Sequence, residues 1–392
     1  MGMGIRWAIL TGEYPPQPGG VSDYTRLVAE GLAAVGDEVA VYAPPQGLGP
    51  DSAPPGVWVR RLPDRFGSRG LCWLDLELAR DRPDRILIQY VPHAFGWKAM
   101  NLSFVAWALI RRIRRRDDVR VMFHEVAFPW VHQPLRNNAI AAVNRVMAAV
   151  LVQACTRAYV AIPGWVPLLR RLGAGRLPIA WTPVPSNVPD EASTTAVAAR
   201  RAELTLNDPT VRLVCHFGTY GPSVTLALGS VLRELLGRRP EVRVLLLGVG
   251  GDRWRGELAG GRVDWHARVI APGALSAPLI AEHLRACDLV IQPYPDGASS
   301  RRGSLMAALA NGVPVVTTIG ALSEPVWSEG AVAAAPVGDA EQLARLALDL
   351  LDRPERLAEL GLAGQRLYQD QFALRHTVAA LLDLPCPPPT AA

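Results

Sequence analysis

Lysine is all but missing from this chain: of its 41 basic residues, Lys98 alone is a lysine and the rest are arginine. Two chemistries go with that absence. A phosphate loop of the Walker type needs a lysine after its glycine run. A Schiff-base lysine would have to be Lys98, and nothing around it suggests that role. Cysteine is sparse as well. Cys72, Cys155, Cys215, Cys287 and Cys386 are scattered and no C-x-x-C pair occurs, which argues for reduced thiols and against a zinc site. No stretch reads as a secretory leader, and no apolar run is long enough to span a bilayer. The longest candidate, residues 139–162, is broken by Asn144, Arg145, Gln153 and Arg157, so it reads as a buried helix and then a strand. These absences lead us to expect a cytoplasmic protein.

What is present suits a large soluble core. The 392 residues are 49% hydrophobic and 20% charged, which suggests two domains. A formal net charge of +5 fits anionic substrates or a membrane surface and is too weak to argue for nucleic acid, which is not expected as a partner.

The first thirty-odd residues carry the clearest local signal. Residues 5–10 form an apolar run of strand length. Pro15, Pro16, Pro18, Gly19 and Gly20 follow and exclude helix and strand. Ser22 or Asp23 is placed to cap the next helix, in which Leu27, Val28, Gly31, Leu32 and Val35 share a face. A helix that starts after two glycines offers free amides and a positive dipole end, so a phosphate or sugar hydroxyl is expected there. Further strands are expected at 39–42, 86–89, 119–123 and 158–162, with helices between them, implying a mostly parallel sheet covered on both faces. Residues 43–70 read as a long loop with room for one edge strand. Pro178, Pro183, Pro185 and Pro189 make 178–193 the expected linker. The pattern then restarts: a strand at 211–217, the loop Gly218–Ser223, a helix to Leu236, and strands at 242–247, 269–271, 289–292 and 313–317. Gly248, Gly250 and Gly251 break the G-x-G-x-x-G spacing and follow the second strand of this half, which disfavours a dinucleotide dehydrogenase.

Two motifs carry a family resemblance. E-Y-P-P-x-x-G-G-V-x-x-Y, from Glu13 to Tyr24, resembles the N-terminal loop of the retaining nucleotide-sugar glycosyltransferases of family four. L-x-x-A-L-A-x-G-V-P-V-V, from Leu305 to Val316, resembles their donor-site helix and strand. The resemblance implies an α/β architecture called GT-B: two facing Rossmann-like domains with mostly parallel sheets, and a C-terminal helix that crosses back to the first. The corresponding boundaries are 1–186, 187–365 and 366–392. It implies transfer of a sugar from a nucleotide-diphosphate sugar to an acceptor hydroxyl in the interdomain cleft, with retention, without a metal or other cofactor. The acceptor would be a small molecule, a polysaccharide or a lipid-linked sugar. Gly19, Gly20, Val21 and Tyr24 would form the acceptor or phosphate loop. Gly218, Thr219, Tyr220, Gly221 and Ser223 would form the first donor loop.

The chain departs from the family at the donor. The arginine and lysine usual around the first donor loop are absent. The usual pair of glutamates falls, without gaps, on Ser299 and Ala307. A short shift puts Asp296-Gly297 in the place of the first Glu-Gly, with Ser304 eight residues on. On that reading Asp296 accepts sugar hydroxyl bonds, and Ser299, Ser300 and Gly303 offer amides at a helix start. Arg301 and Arg302 neutralise the diphosphate, a task for which planar guanidinium groups are well shaped. The run S-x-R-R-x-S resembles a divergent branch of the family. His124, at a strand end, matches the family's histidine near the transferred sugar, and a purely structural histidine fits equally well. His124, Asp296 and Arg301 are the candidate catalytic residues. Tyr90, His93 and Trp97 are candidates for the acceptor side.

Residues 97–116 form an apolar helix with a basic end. One reading buries it and spends its arginines on the helix dipole; the other docks it peripherally on anionic lipid at the inner membrane face. Two rivals to a transferase stay open as well, a nucleotide-sugar epimerase and a non-catalytic partner subunit that has lost the acidic pair.

Overall fold

The computed structural model describes residues 4–45, 54–96, 99–131 and 136–385. The chain divides into two compact units, one running to Val184 and resuming at Leu374, the other Pro185–Ala373. The first unit contains strands β1 (Arg6–Thr11), β2 (Glu38–Ala43), β3 (Val57–Arg61), β4 (Arg85–Tyr90), β5 (Val119–Phe123), β6 (Arg157–Val160) and β7 (Ile179–Trp181). Its helices are α1 (Gly20–Ala34), α2 (Ser68–Asp81), α3 (Leu102–Arg114), α4 (Arg136–Ala154) and the single turn α5 (Val166–Leu169). The seven strands are parallel in the order β3-β2-β1-β4-β5-β6-β7. In β1, Trp7, Ala8, Ile9 and Leu10 are all buried, as a central parallel strand covered on both faces requires.

The second unit contains β8 (Arg212–Phe217), β9 (Val242–Leu247), β10 (Val269–Gly273), β11 (Leu289–Gln292), β12 (Val315–Ile319) and β13 (Ala333–Pro336). Helices α6 (Thr194–Thr205), α7 (Pro222–Arg238), α8 (Gly251–Ala259), α9 (Val263–Arg268), α10 (Ala277–Ala286), α11 (Gly303–Ala310), α12 (Ala340–Leu351) and α13 (Pro354–Leu367) flank it. Its sheet is also parallel, in the order β10-β9-β8-β11-β12-β13.

Two local expectations are corrected. Neither Ser22 nor Asp23 caps α1. The helix begins at Gly20, and the Glu13 carboxylate accepts the amides of Val21 and Ser22 at 3.0 and 3.1 Å. Gly19 is small for that reason, since a Cβ there would lie 2.5 Å from the Glu13 carboxylate. The positive end of α1 therefore already holds an anion. The proline-rich stretch 178–193 is not wholly linker either. Ile179–Trp181 pairs with β6 as an edge strand; Pro178 and Pro183 flank it, positions where a missing N–H breaks no ladder. The room left for an edge strand within 43–70 is taken by β3. Trp97, Lys98 and Cys386 lie outside the described residues.

The last helix, α14 (Leu374–Leu381), belongs to the first unit and packs on α1. Gly31 allows the approach: a Cβ at that position would sit 2.7 Å from Val378 Cγ2. Beyond α14, Asp383 receives two bonds from the buried Arg120 at 3.1 and 2.8 Å, and ion pairs from Arg85 and Arg157. Burial pushes the Asp383 carboxyl upward, but the Arg120 bonds and the charges of Arg120, Arg157 and Arg85 hold it below its ordinary value. Its stabilising effect is complete above the ordinary value of 3.8 and fades as the pH falls through the lower folded value. Asp383→Ala should lower unfolding stability at neutral pH by about 2 kcal/mol, because Arg120 stays buried with fewer partners. A urea midpoint equal to that of the wild type would mean that the Asp383 contacts add nothing to stability.

Candidate functional site

In the second unit β9 and β10 lie on one side of β8, while β11, β12 and β13 lie on the other. The chain therefore leaves β8 and β11 in opposite directions, and a crevice opens beyond their carboxyl ends, where open α/β sheets bind ligands. The loop after β8 starts at Gly218 with φ of 153°. A Cβ on Gly248, after β9, would lie 2.2 Å from the Gly218 carbonyl oxygen, so these two turns pass backbone against backbone. Gly221 and Pro222 then open α7, with proline in the first turn, where no amide partner is lost. Of the expected donor-loop residues, Tyr220 turns away from this role. Its hydroxyl donates to the Leu247 carbonyl at 3.1 Å and its ring stacks on Trp254, pinning the loop to β9.

The loop after β11 gathers charge. Asp296 accepts hydrogen bonds from both Arg301 and Arg302. Arg302 also lies over the Tyr294 ring, 4.8 Å from its centre, and the Tyr294 hydroxyl pairs with Ser304 Oγ at 2.8 Å. Gly297, at φ of 92°, has no room for a side chain: a Cβ would fall 2.3 Å from the Gly320 amide nitrogen. Two guanidinium groups against one carboxylate leave a net positive charge beside the N-terminus of α11, where the helix dipole already favours an anion. The Arg302 Nε is buried without a hydrogen-bond partner among the described residues.

The serines correct the expectation made for them. Ser299 and Ser300 are fully buried and precede α11, which begins at Gly303. The Ser300 amide and hydroxyl both bond the buried Glu324 carboxylate, which also accepts Trp327 Nε1 at 2.6 Å. That amide is not on offer to a ligand. Ser299 Oγ, by contrast, is buried with no hydrogen-bond partner among the described residues.

Beneath this loop lie two residues that the sequence reading did not single out. His216, near the end of β8, pairs through Nδ1 with the Ile291 carbonyl at 2.9 Å. Burial pushes its pKa down to about 4, with backbone carbonyl groups pulling weakly upward. A neutral ring that donates from Nδ1 keeps a lone pair on Nε2, and that nitrogen is buried with no well-formed hydrogen bond among the described residues, although the Thr219 backbone also pulls on the ring. A Cβ on Gly218 would be 3.6 Å from His216 Nε2 and 3.8 Å from Ser304 Oγ, so both groups border the same small space. Gln292, the last residue of β11, donates to the Phe217 carbonyl at 2.8 Å and leaves its own buried Oε1 unsatisfied. Buried polar atoms without partners are rare in folded proteins; here they sit at the ends of the strands that define the crevice. The one available signal was a polar residue at or next to the end of each of two apolar strands, RLVCHF and LVIQ.

In the first unit the expected residues divide. His124 is buried at the end of β5, with Nε2 2.9 Å from Gln89 Oε1 and the Tyr24 ring edge-on at 4.6 Å. Burial lowers its pKa to about 3. Tyr24 and Val21 are themselves buried, so they are packing residues, not a surface for an acceptor. Gly19 carries the Glu13 cap, and Gly20 faces open space. Tyr90 is buried and His93 exposed. Asp117 pairs with Arg111, and Asp118 with Arg85 and Arg120. Among the described residues no group of three or more His, Cys, Asp or Glu is placed to hold a metal ion.

Residues 212–353 match the family model for glycosyl transferases group 1. The match includes β8, β11, both crevice loops and α11. No curated protein matches the sequence. Among solved structures the chain is similar to the sucrose-phosphate synthase of Thermosynechococcus elongatus, with 17% identity, 96% of this chain and 97% of that one covered, and a TM-score of 0.75. It is similar to Anabaena HepE in complex with UDP and glucose, at 17% identity, 97% and 98% coverage and a TM-score of 0.70. It is also similar to WaaG, a glycosyltransferase involved in lipopolysaccharide biosynthesis, at 17% identity, 96% and 98% coverage and a TM-score of 0.69. The fold is GT-B, with two Rossmann-like domains built on parallel sheets.

Two of the buried histidines, His124 and His216, make stability depend strongly on pH. Below the ordinary histidine value of 6.5, an unfolded chain takes up protons that folded His124 and His216 refuse until about 3 and 4. Each should cost about 1.4 kcal/mol per pH unit over that window as the pH falls. A variant carrying His124→Gln and His216→Gln should lose less stability than the wild type between pH 7 and about 5. Parallel urea midpoints across that range would mean that the rings are solvated.

Proposed function

We propose that this protein is a glycosyltransferase that moves a sugar from a nucleotide-diphosphate sugar to an acceptor hydroxyl. The donor diphosphate sits over the carboxyl ends of β8 and β11. The observation that carries this reading is the charge at the start of α11: Arg301 and Arg302 share one carboxylate and retain a net positive charge at a helix N-terminus, in a crevice lined by unsatisfied buried polar atoms. A diphosphate supplies the missing anion, and preorganised donors of this kind stabilise it as it departs. In this reading the transfer retains configuration and requires no metal, the leaving charge being met by Arg301, Arg302 and the amides of Gly218, Thr219, Gly221 and Ser223. Asp296, Gly297, Gly303 and Ser304 shape the sugar end of the site. Gly20 stands on the acceptor side. His124, neutral at pH 7, enters as a positioning residue, not as a proton carrier.

A second reading has its own support. Asp296 is engaged by two arginines, and position 307 is an alanine, so the carboxylates available to a sugar are few. That favours a subunit which binds nucleotide without transfer. Thermal shift with UDP, GDP, ADP, dTDP and CDP, alongside Arg302→Ala, tests the shared premise. One diphosphate should raise the apparent stability of the wild type, and Arg302→Ala should weaken its binding about ten-fold or more, the scale of a hydrogen bond to a charged group. The absence of any shift at millimolar nucleotide would end the donor-site assignment. Asp296→Asn then separates the readings. In a transferase it should weaken binding of the nucleotide sugar and leave the bare diphosphate bound at least as well. Equal effects on both would assign Asp296 to holding the arginines alone. Release of an altered sugar without any acceptor would identify an epimerase.

A further inference from the structure

We propose that the outer face of α3 docks the protein on an anionic lipid surface. The inference uses residues of the first unit alone and does not rest on the donor-site reading. Leu102, Ile110 and Ile113 are 51%, 49% and 67% exposed, and Ala106 is exposed between them. At 100° per residue these four, with half-buried Leu109, span roughly 100° of the helix circumference. The opposite face, with Phe104, Val105, Ala108 and Arg111, is buried. A surface helix ordinarily turns its one apolar stripe inward; α3 has a second that faces out.

Charge borders that stripe. By the same spacing Arg112 and Arg114 lie on its two sides, and Arg115 and Arg116 follow at its end. None of the four has an ion-pair partner among the described residues. The acidic residues that come next are already engaged, Asp117 by Arg111 and Asp118 by Arg85 and Arg120. Neither α3 nor α4, which packs along it, contains an aspartate or glutamate; the other neighbour of α3, α2, carries Asp75, Glu77 and Asp81, which are engaged by Arg111 and Arg60. An apolar strip with arginines on both borders is the layout of a helix lying in a membrane interface, its apolar side chains in the acyl boundary and its guanidinium groups at the phosphates. The unopposed positive charge selects anionic over neutral lipid. A nucleic acid would use the arginines and ignore the isoleucines, and a second copy of the face would bring like charge against like.

Sedimentation with vesicles of phosphatidylcholine alone, and of phosphatidylcholine mixed with phosphatidylglycerol, tests this on the full chain. The protein should pellet with the anionic vesicles only, and less so as salt rises. Replacing Arg112, Arg114, Arg115 and Arg116 by alanine should weaken the partition by about five-fold per arginine. Ile110→Ser with Ile113→Ser should weaken it by about ten-fold or more, with an unchanged circular dichroism spectrum because both side chains are exposed. Failure of the wild type to bind anionic vesicles would overturn the proposal. So would equal vesicle binding by the serine variant, the mark of a purely electrostatic nucleic-acid-like surface. Conversion of a dimer to a monomer by the serine substitutions, read by sedimentation velocity, would instead assign the face to a second copy.

Discussion

The reversal of strand order between β8 and β11 is the constraint to which the rest of the second unit answers. A parallel sheet places every strand-to-helix turn at the same edge, and right-handed crossovers then send successive helices to opposite faces wherever the order changes direction. The loops after β8 and β11 are therefore pulled apart, and the space between them cannot be filled by a neighbouring turn. What remains at its floor is whatever the two strand ends present, here His216 and Gln292. The close crossing of Gly218 and Gly248 tightens one wall of that space, and the Asp296 cluster forms the other. The same reversal occurs in the first unit between β1 and β4. There the loops meet through Gly12, where a Cβ would lie 2.3 Å from the Ala94 Cβ.

The placement of positive charge follows from that geometry. The loop after β8 has no cation, and no lysine is available anywhere in it. Positive charge reaches the crevice from the other side, on Arg301 and Arg302. Arginine suits that position because its planar fork can bond Asp296 with one nitrogen and still present others. Asp296 limits the repulsion between two adjacent guanidinium groups and orients both, and the stacking of Arg302 on Tyr294 fixes one of them further. Glu324 works one layer below. By taking the Ser300 amide and hydroxyl together with Trp327 Nε1, it holds the turn from which α11 starts, ahead of a helix, GSLMAALA, whose one polar side chain, Ser304, is taken by Tyr294.

How much of this was legible in the sequence depended on whether the signal was local. Central strands announced themselves through apolar runs such as Val242–Leu247, since burial on both faces leaves little choice of residue. The alternation of such runs with helices in each half led to two parallel sheets. The cap of α1 was not legible, because Glu13 reaches it from eight residues before Val21 across a turn whose shape the sequence does not state. β7 was hidden by the prolines on either side of a strand only three residues long, and β13 carries mostly alanine. His216 and Gln292 looked like ordinary residues in apolar strands; their importance comes from strand order, which no local pattern encodes. Tyr220 and Tyr24 were misjudged for a related reason. An aromatic next to a glycine loop can face a ligand or lock the loop to its neighbour, and only the packing of Trp254 and His124 against them decides which.

The two readings of α3 illustrate the same limit from the opposite direction. Its periodicity is helical throughout, yet apolar side chains lie all around it, and periodicity does not say which stripe meets the core. Burial of Phe104, Val105 and Ala108 assigns one stripe to the sheet side and so leaves Leu102, Ala106, Ile110 and Ile113 outside. The arginines divide along the same line. Arg111 points inward and is matched by Asp75 and Asp117, which is what a buried guanidinium requires. Arg112 is half-buried and Arg114, Arg115 and Arg116 are exposed, and none of them meets an acid among the described residues. A helix whose inner face obeys the rule that buried charge must be paired, and whose outer face leaves both apolar surface and charge unmatched, has its outer residues explained by nothing among the described residues.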